Sequence, residues 1–376
     1  MPPLWIYKIS KEKIFVKITK DKLNIIYDGP YTSEPKAGVV KYFRELSKNS
    51  LIGNSIAFSR YQRGNKDSGA NVFLPPFPHF RPHKISFYLE YMWHKFIYQK
   101  KIHIIHPTEF ALTPTGHFFP KKGAKLVITI HDLIHEKFGT PKGLYDLKNR
   151  TNFYTKADGY IFVSNSTKND FGNHYPSLIC SKPSEVIWHG NNFDTNEISV
   201  EKKKQFLFVG SRNGYKNFDN AFLAFEKTLK QNQDCVLMIA GSSPCEEEKR
   251  LGKRFGTKVK WVENPDDQTL KKIYSESLAL LYVSEYEGFG MPLIEAMSQG
   301  CVPIAGNHSS IPEVMADSGI SVNVSNPEEI SRAMIRCIQN NVDIVDIRKK
   351  GQFRANLFNW KNTVKTTYEF YHRLCK

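Results

Sequence analysis

Two carboxylates, Glu287 and Glu295, bracket the turn Gly288-Phe289-Gly290 in "SEYEGFGMPLIEAMSQG" (284–300). Pro292 suits the first turn of a helix, where its missing N–H costs nothing, and Gly300 is a natural stop. The preceding "LALLYVS" reads as a buried strand. The segment is therefore expected to run strand, glycine turn, helix, with one acid in the turn and one early in the helix. A helix N-terminus attracts anions, yet acids placed there would repel a bare phosphate. The combination suits a mixed ligand, with backbone amides for phosphate and carboxylates for vicinal hydroxyls. One carboxylate can take two neighbouring O–H donors. A nucleotide sugar offers that pattern twice, on its ribose and on its sugar.

"FLFVGSRNGYKNF" (206–218) supplies cations at the end of another apolar run. Arg212 and Lys216 follow a strand through a glycine-containing loop, placed to hold a diphosphate and to stabilise its charge as it leaves. Alone, such loop cations are more simply read as solvated. Coupled to the acid pair, they gain a purpose.

The elements that must position these groups alternate. In the C-terminal half, "FLFVG" (206–210), "CVLMIAG" (235–241), "KVKWV" (258–262), "LALLYVS" (278–284), "CVPIAG" (301–306) and "GISVNV" (319–324) read as short buried strands. Helical patterns separate them, one with Phe218, Ala221, Phe222, Phe225 and Leu229 on a single stripe. In the N-terminal half "LNIIYD", "SIAF", "IHIIH", "LVITIHD", "GYIFVS" and "EVIWHG" are strand-like, with helices expected near 38–48, 84–100, 143–157 and 166–172. Such alternation implies parallel sheets covered on both faces. The expected class is α/β, two Rossmann-like doubly wound domains facing a central cleft, with ligand at the carboxyl ends of the strands. The boundaries predicted are 1–190, with 1–22 as an added hairpin, a polar linker at 191–205, a second domain at 206–355, and a C-terminal helix in 356–376 crossing back to the first.

The 376 residues are 40% hydrophobic and carry a formal charge of +16. Residues 1–190 hold 28 Lys+Arg against 14 Asp+Glu, and residues 191–376 hold 25 against 23. The basic half suggests an acidic partner, such as an anionic membrane, a phosphorylated acceptor or nucleic acid. A lysine-rich surface with no partner is the plainer alternative. No apolar run approaches the roughly 18 residues of a membrane span, and the N-terminus does not read as a signal peptide. Six cysteines without a CxxC pair point to a reducing compartment and away from structural zinc. A cytoplasmic location is expected.

"EGFGMPLIEAMSQGCVPIAG" resembles the signature of the retaining glycosyltransferases of family 4, which have the GT-B architecture. The resemblance extends to "VGSRNGYKNF", "HSSIPEV", "VITIHDL", "FVSNSTKNDF" and "FNWKNTVKTTYEFY", and so to most of residues 23–376. "IIHPTEF" and "VGSRNGYKN" are further similar to bacterial polysaccharide mannosyltransferases. The resemblance implies that Glu287 binds donor-sugar hydroxyls, with the amides of Gly288, Phe289, Gly290 and Met291 beside sugar and phosphate. It gives Glu295 the ribose and Arg212 and Lys216, after Gly210 and Ser211, the diphosphate. His131 matches the histidine facing the transferring sugar, although a satisfied core histidine is the plainer reading. Asn264 and Pro265 in "WVENPDD" match the nucleobase wall, with Glu263 where glycine is common. Gly38 matches the glycine of the first βα loop, where many relatives have two. "WHGNNF" departs from the usual Asn-Gly-Val-Asp loop.

No Asp-x-Asp occurs, so a dedicated Mg²⁺ or Mn²⁺ diphosphate site is not evident, and no cofactor beyond a GDP- or UDP-linked donor is expected. Reaction at the anomeric carbon passes through an oxocarbenium-like state that needs leaving-group stabilisation above all. With no persuasive nucleophile, a front-face displacement with retained configuration is preferred, the phosphate receiving the acceptor proton. "RPHKISFYLEYMWHKFIYQKK" (81–101) mixes aromatic and basic residues, and "FFPKKGAK" (118–125) adds charge. The first suits an anionic membrane leaflet and a lipid-linked saccharide acceptor, or is simply a packed helix. The acidic run "EEEKR" (246–250) is expected to be a solvated helix start. A nucleic-acid enzyme and a catalytically silent nucleotide-sugar binder are the competing classes, but no nucleic-acid motif appears.

Overall fold

A computed structural model describes residues 23–27, 38–48, 102–107, 123–139, 150–195, 201–212 and 214–376, and the backbone of 28, 54–58, 71–73 and 147–149. The expected hairpin (1–22), the helix near 84–100 and residues 118–122 lie outside the described residues.

The first sheet contains β1 (Asn24–Asp28), β2 (Asn54–Phe58), β3 (Asn71–Phe73), β4 (Ile104–Pro107), β5 (Lys125–Ile130), β6 (Gly159–Phe162) and β7 (Ser184–Val186). The second contains β8 (Lys203–Val209), β9 (Val236–Gly241), β10 (Val259–Glu263), β11 (Ser277–Tyr282), β12 (Val302–Ala305) and β13 (Ile320–Ser321). Their orders are β3-β2-β1-β4-β5-β6-β7 and β10-β9-β8-β11-β12-β13, and the paired strands run parallel. Both orders reverse direction beside their first strand, between β1 and β4 and between β8 and β11. A crevice opens at such a switch point, at the strands' carboxyl ends. The loops leaving β8 and β11 there carry Lys216 and Glu287.

The strands are apolar on both sides because helices cover both faces. Along β8, Phe206 and Phe208 face a core shared with Phe218, Phe222 and Phe225 of the helix Phe218–Leu229, the expected stripe. Leu207, between them, faces Leu280, Leu293 and Met297 on the other side. The helix Trp360–Cys375 returns to the first sheet, packing Val364, Phe370 and Tyr371 against Ile25, Tyr27, Tyr42 and Ile104.

Two expectations change. β8 begins at Lys203, so the last residues of the 191–205 segment belong to the sheet. Its beginning is packed rather than free: the Asn191 amide donates to the Phe358 carbonyl, and Phe193 is buried. β3 was not anticipated, since three residues carry too little pattern.

The lobes touch closely. The Gly288 carbonyl accepts hydrogen bonds from Ser164 Oγ at 2.7 Å and Thr167 Oγ1 at 2.9 Å. A Cβ on Gly288 would fall inside the His131 carbonyl oxygen. Glu313 caps the helix Asn165–His174 of the other lobe, accepting from the Asn165 amide at 2.8 Å and from Trp188 Nε1 at 2.7 Å. A carboxylate so placed also meets the positive end of the helix dipole. Gly288→Ala is expected to cost about 3 kcal/mol, because backbone rather than a movable side chain blocks the methyl. Thermal melting checks this, and an unchanged Tm would show that the lobes do not meet at this point.

Candidate active site

The loop after β8 turns at Gly210, whose φ of +114° lies where glycine is favoured. A short 3-10 turn, Gly214–Lys216, then brings the lysine over the end of β11. The loop is pinned by the Glu285 amide donating to the Tyr215 carbonyl at 2.7 Å. Lys216 Nζ lies 2.6 Å from Glu287 Oε1, with both side chains largely buried. Glu287 is fixed in turn, since its amide donates to Ser309 Oγ at 3.1 Å and its carbonyl accepts from Ser310 Oγ at 2.9 Å. This places an ammonium and a carboxylate together at the second sheet's switch point.

The helix Met291–Ser298 starts beside them. Its N-cap is Gly290, at φ +107°, and no side chain caps it. Of its first residues, Pro292 has no N–H and the Leu293 amide donates to the Gly290 carbonyl at 3.0 Å, which leaves the amide of Met291. With the turn that leads into the helix, it offers a place for a phosphate oxygen next to the lysine. Glu295, one turn further, is buried; its Oε1 accepts from Asn192 Nδ2 at 2.9 Å and its Oε2 from Tyr274 Oη at 3.2 Å. Burial raises the Glu295 pKa above its usual 4.5, against the opposing charge of Lys41. Lys41, on the first lobe's helix Gly38–Lys48, pairs across the cleft with Asp267 at 2.7 Å.

Arg212 makes contacts that its sequence did not announce. Its guanidinium makes a two-pronged pair with Glu248, at 2.5 and 3.0 Å, donates to the Ser243 carbonyl at 3.1 Å and lies 5.4 Å over Trp261. The side chain is only 5% exposed. Nε and Nη2 make these bonds, and Nη1 has no hydrogen-bond partner among the described residues. Glu248 is therefore not the solvated residue that "EEEKR" suggested; it also accepts from the Cys245 amide as a helix cap. Ser211 is exposed, and Asn264, at φ +45° with its N–H donating to the Gly241 carbonyl at 2.7 Å, stands with Pro265 beyond β10. A Cβ at Gly38 or Gly210 would meet nothing within 4 Å among the described residues.

His131 follows β5 and is walled in by rings. Tyr42 lies edge-on at 5.3 Å and His189 is stacked at 5.6 Å with planes 20° apart. Burial pushes the His131 pKa down to about 4 and that of His106 to about 3, and lowers that of His189, with help from His131. Behind them His106 joins Tyr371 Oη at 2.5 Å and Thr129 Oγ1 at 2.8 Å. These imidazoles are held neutral in the fold, whereas the unfolded chain protonates them near 6.5. Stability is therefore present above pH 6.5 and is lost as pH falls through the folded values near 4 and 3. The expected result is a Tm that declines from pH 7 to pH 4, with His106→Phe flattening the slope.

At the mouth of the cleft Phe138 stacks on Tyr215 at 5.6 Å and Lys137 lies 4.3 Å over Tyr286, again joining the lobes. His189, Asn192, Glu248 and Glu313 are the residues that sequence reasoning left without a role here. The departure of "WHGNNF" from the usual loop was the only signal for the first two. Among the described residues no group of His, Cys, Asp and Glu is arranged to hold a metal ion, and no helix is long and apolar enough to cross a membrane.

Two facing Rossmann-like sheets, joined at the cleft and tied by a returning C-terminal helix, define the GT-B class. A family model described as Glycosyltransferase Family 4 matches residues 54–194, and one described as Glycosyl transferases group 1 matches residues 191–354. The chain belongs to the family 4 glycosyltransferases of GT-B architecture. O-antigen chain mannosyltransferase B of Escherichia coli is 27% identical over 174 residues, 45% of each chain. The match thus spans less than half of that relative's length. An uncharacterised glycosyltransferase of Methanocaldococcus jannaschii is 27% identical over 305 residues, 70% of this chain and 73% of the relative. Sucrose-phosphate synthase of Thermosynechococcus elongatus has the same fold, with a TM-score of 0.72 at 17% identity, covering 94% of this chain and 99% of that one.

Proposed function

We propose that the chain is a retaining, metal-independent hexosyltransferase that moves a sugar, mannose by preference, from a GDP- or UDP-linked donor to a saccharide or lipid-linked saccharide in surface polysaccharide synthesis. The observation that carries this reading is the Lys216–Glu287 pair beside an uncapped helix N-terminus at the switch point. In this reading the diphosphate displaces Glu287 from Lys216, and the freed carboxylate accepts hydroxyls of the transferring sugar. The ammonium and the amides of the turn that ends at Met291 then stabilise the leaving phosphate, the work a metal would otherwise do. Glu295 takes the ribose diol, and Asn264 and Pro265 flank the base. Arg212, held by Glu248 and packed over Trp261, offers its unpartnered Nη1 to the diphosphate. The mannosyl preference rests on the likeness to the O-antigen mannosyltransferase. The basic first half suits an acceptor at an anionic leaflet, and the proposal places the chain on the cytoplasmic side of that membrane.

A panel of UDP- and GDP-sugars, read by thermal shift and by slow hydrolysis without acceptor, tests the proposal. A Tm rise with a GDP- or UDP-sugar is expected, with turnover insensitive to chelator and a product of retained anomeric configuration. A chain that neither binds nor hydrolyses any donor contradicts it.

A further inference from the structure

The loop after β7 carries two side chains into the cleft region at different depths. Asn192 steadies Glu295, as described, and accepts from Trp360 Nε1 at 3.3 Å. Three residues earlier, His189 lies among rings: stacked on His131, edge-on to Phe289 at 5.0 Å, and 4.9 Å from Tyr42. Its position is set by Gly190, where any Cβ would run into the backbone of Trp360. His189 therefore touches both the histidine at the end of β5 and the aromatic residue between the two glycines of the donor loop.

Its chemistry is unusual for a packing residue. Only 7% of His189 is exposed, and among the described residues its buried Nδ1 has no hydrogen-bond partner; the same is true of Nε2 of His131. A buried ring nitrogen left unpaired is destabilising, whereas an apolar ring of similar shape would pack there without that cost. Two such atoms in one stack therefore point to a polar ligand. The pair is also neutral, so it brings no positive charge near a carbon that becomes cationic in the transition state. A neutral imidazole has one N–H to donate and one lone pair to accept, which matches a hydroxyl.

We infer that His189 is a second sugar-binding residue, which with His131 holds hydroxyls of the transferring hexose and helps to select it. This rests on the proposed nucleotide-sugar site and deepens it. The loop after β7 then serves both ends of the donor, the sugar through His189 and the ribose through the support of Glu295 by Asn192.

The test compares binding of the nucleoside diphosphate with binding of its sugar conjugate, in the wild-type chain, His189→Phe and His189→Gln. Phenylalanine keeps the ring stack and removes the nitrogens; glutamine restores a donor and an acceptor. His189→Phe is expected to bind GDP or UDP as wild type does, to lose about tenfold or more of the additional affinity that the sugar confers, and to melt at the same or a higher temperature. His189→Gln is expected to recover part of that affinity. A packing role predicts the reverse, a lower Tm with the sugar contribution intact, and that result overturns the inference. Should His189→Phe prove insoluble, loss of the sugar contribution in His189→Gln together with a lower Tm also counts against it. If the wild-type chain binds no nucleotide sugar at all, the proposed function fails first, and the two failures are thereby distinguished.

Discussion

Lys216→Ala is expected to lower kcat about a thousandfold while changing donor affinity much less, because the ammonium acts chiefly on charge that develops as the phosphate leaves. Removing one preorganised donor from such a site typically costs about 10²–10³ in rate. The expectation carries a complication. In the unliganded chain Lys216 is paired with Glu287, and the two side chains are 17% and 10% exposed. Deleting one member strands the other, which can cost about 3 kcal/mol in a buried setting. A fall in activity from the single variant could then reflect a weakened fold. The double variant Lys216→Met/Glu287→Gln separates the effects: it removes both charges, so stability returns toward wild type while turnover stays lost. Single-turnover kinetics and melting curves on the three chains measure this. Recovery of turnover along with stability would show that the pair is only structural.

Glu295→Gln is expected to act on binding rather than on turnover. The carboxylate takes two neighbouring hydroxyls, and the amide offers only one acceptor oxygen and no charge. A loss of about tenfold to a hundredfold in nucleotide affinity follows, with kcat at saturation near wild type. The same substitution is expected to stabilise the empty protein. Because burial raises the folded pKa of Glu295 above 4.5, its protonated form favours the fold. That contribution is present below pH 4.5 and is lost as pH rises through the folded value. At pH 7 the wild-type chain carries the cost of a buried carboxylate, and the neutral amide does not. Glu295→Gln should therefore raise the Tm at pH 7 and leave it little changed at pH 4. A lower Tm at pH 7 would mean that Asn192 and Tyr274 more than offset the desolvation.

The strands and helices that build the cleft were legible because each is a local pattern. The run 278–284 became β11, buried along its length, and the apolar stripe from Phe218 faces the core as its spacing required. The glycine turn and Pro292 placed the start of the helix Met291–Ser298 for the same reason. The contacts that decide which charges are free were not legible. Arg212 and Lys216 are near neighbours in sequence, yet their partners, Glu248 and Glu287, are brought to them by separate strands. Nothing local to "GSRNGYK" says that one cation is tied to an acidic helix start while the other reaches the acid of the next switch-point loop. Glu313 caps a helix of the opposite lobe from 148 residues away, and a lone glutamate in "HSSIPEV" gives no sign of it. His189 stood in a loop whose departure from the usual pattern was visible, but its burial and its stack on His131 belong to tertiary structure.

The most direct measurement is a crystal structure of the chain with a bound nucleoside diphosphate. The account predicts the ribose hydroxyls on Glu295, the diphosphate on Lys216 and the amides of the turn that ends at Met291, and Glu287 released toward the sugar position. A nucleotide seated outside the cleft, with the Lys216–Glu287 pair undisturbed and Glu295 still bound only to Asn192 and Tyr274, would contradict it.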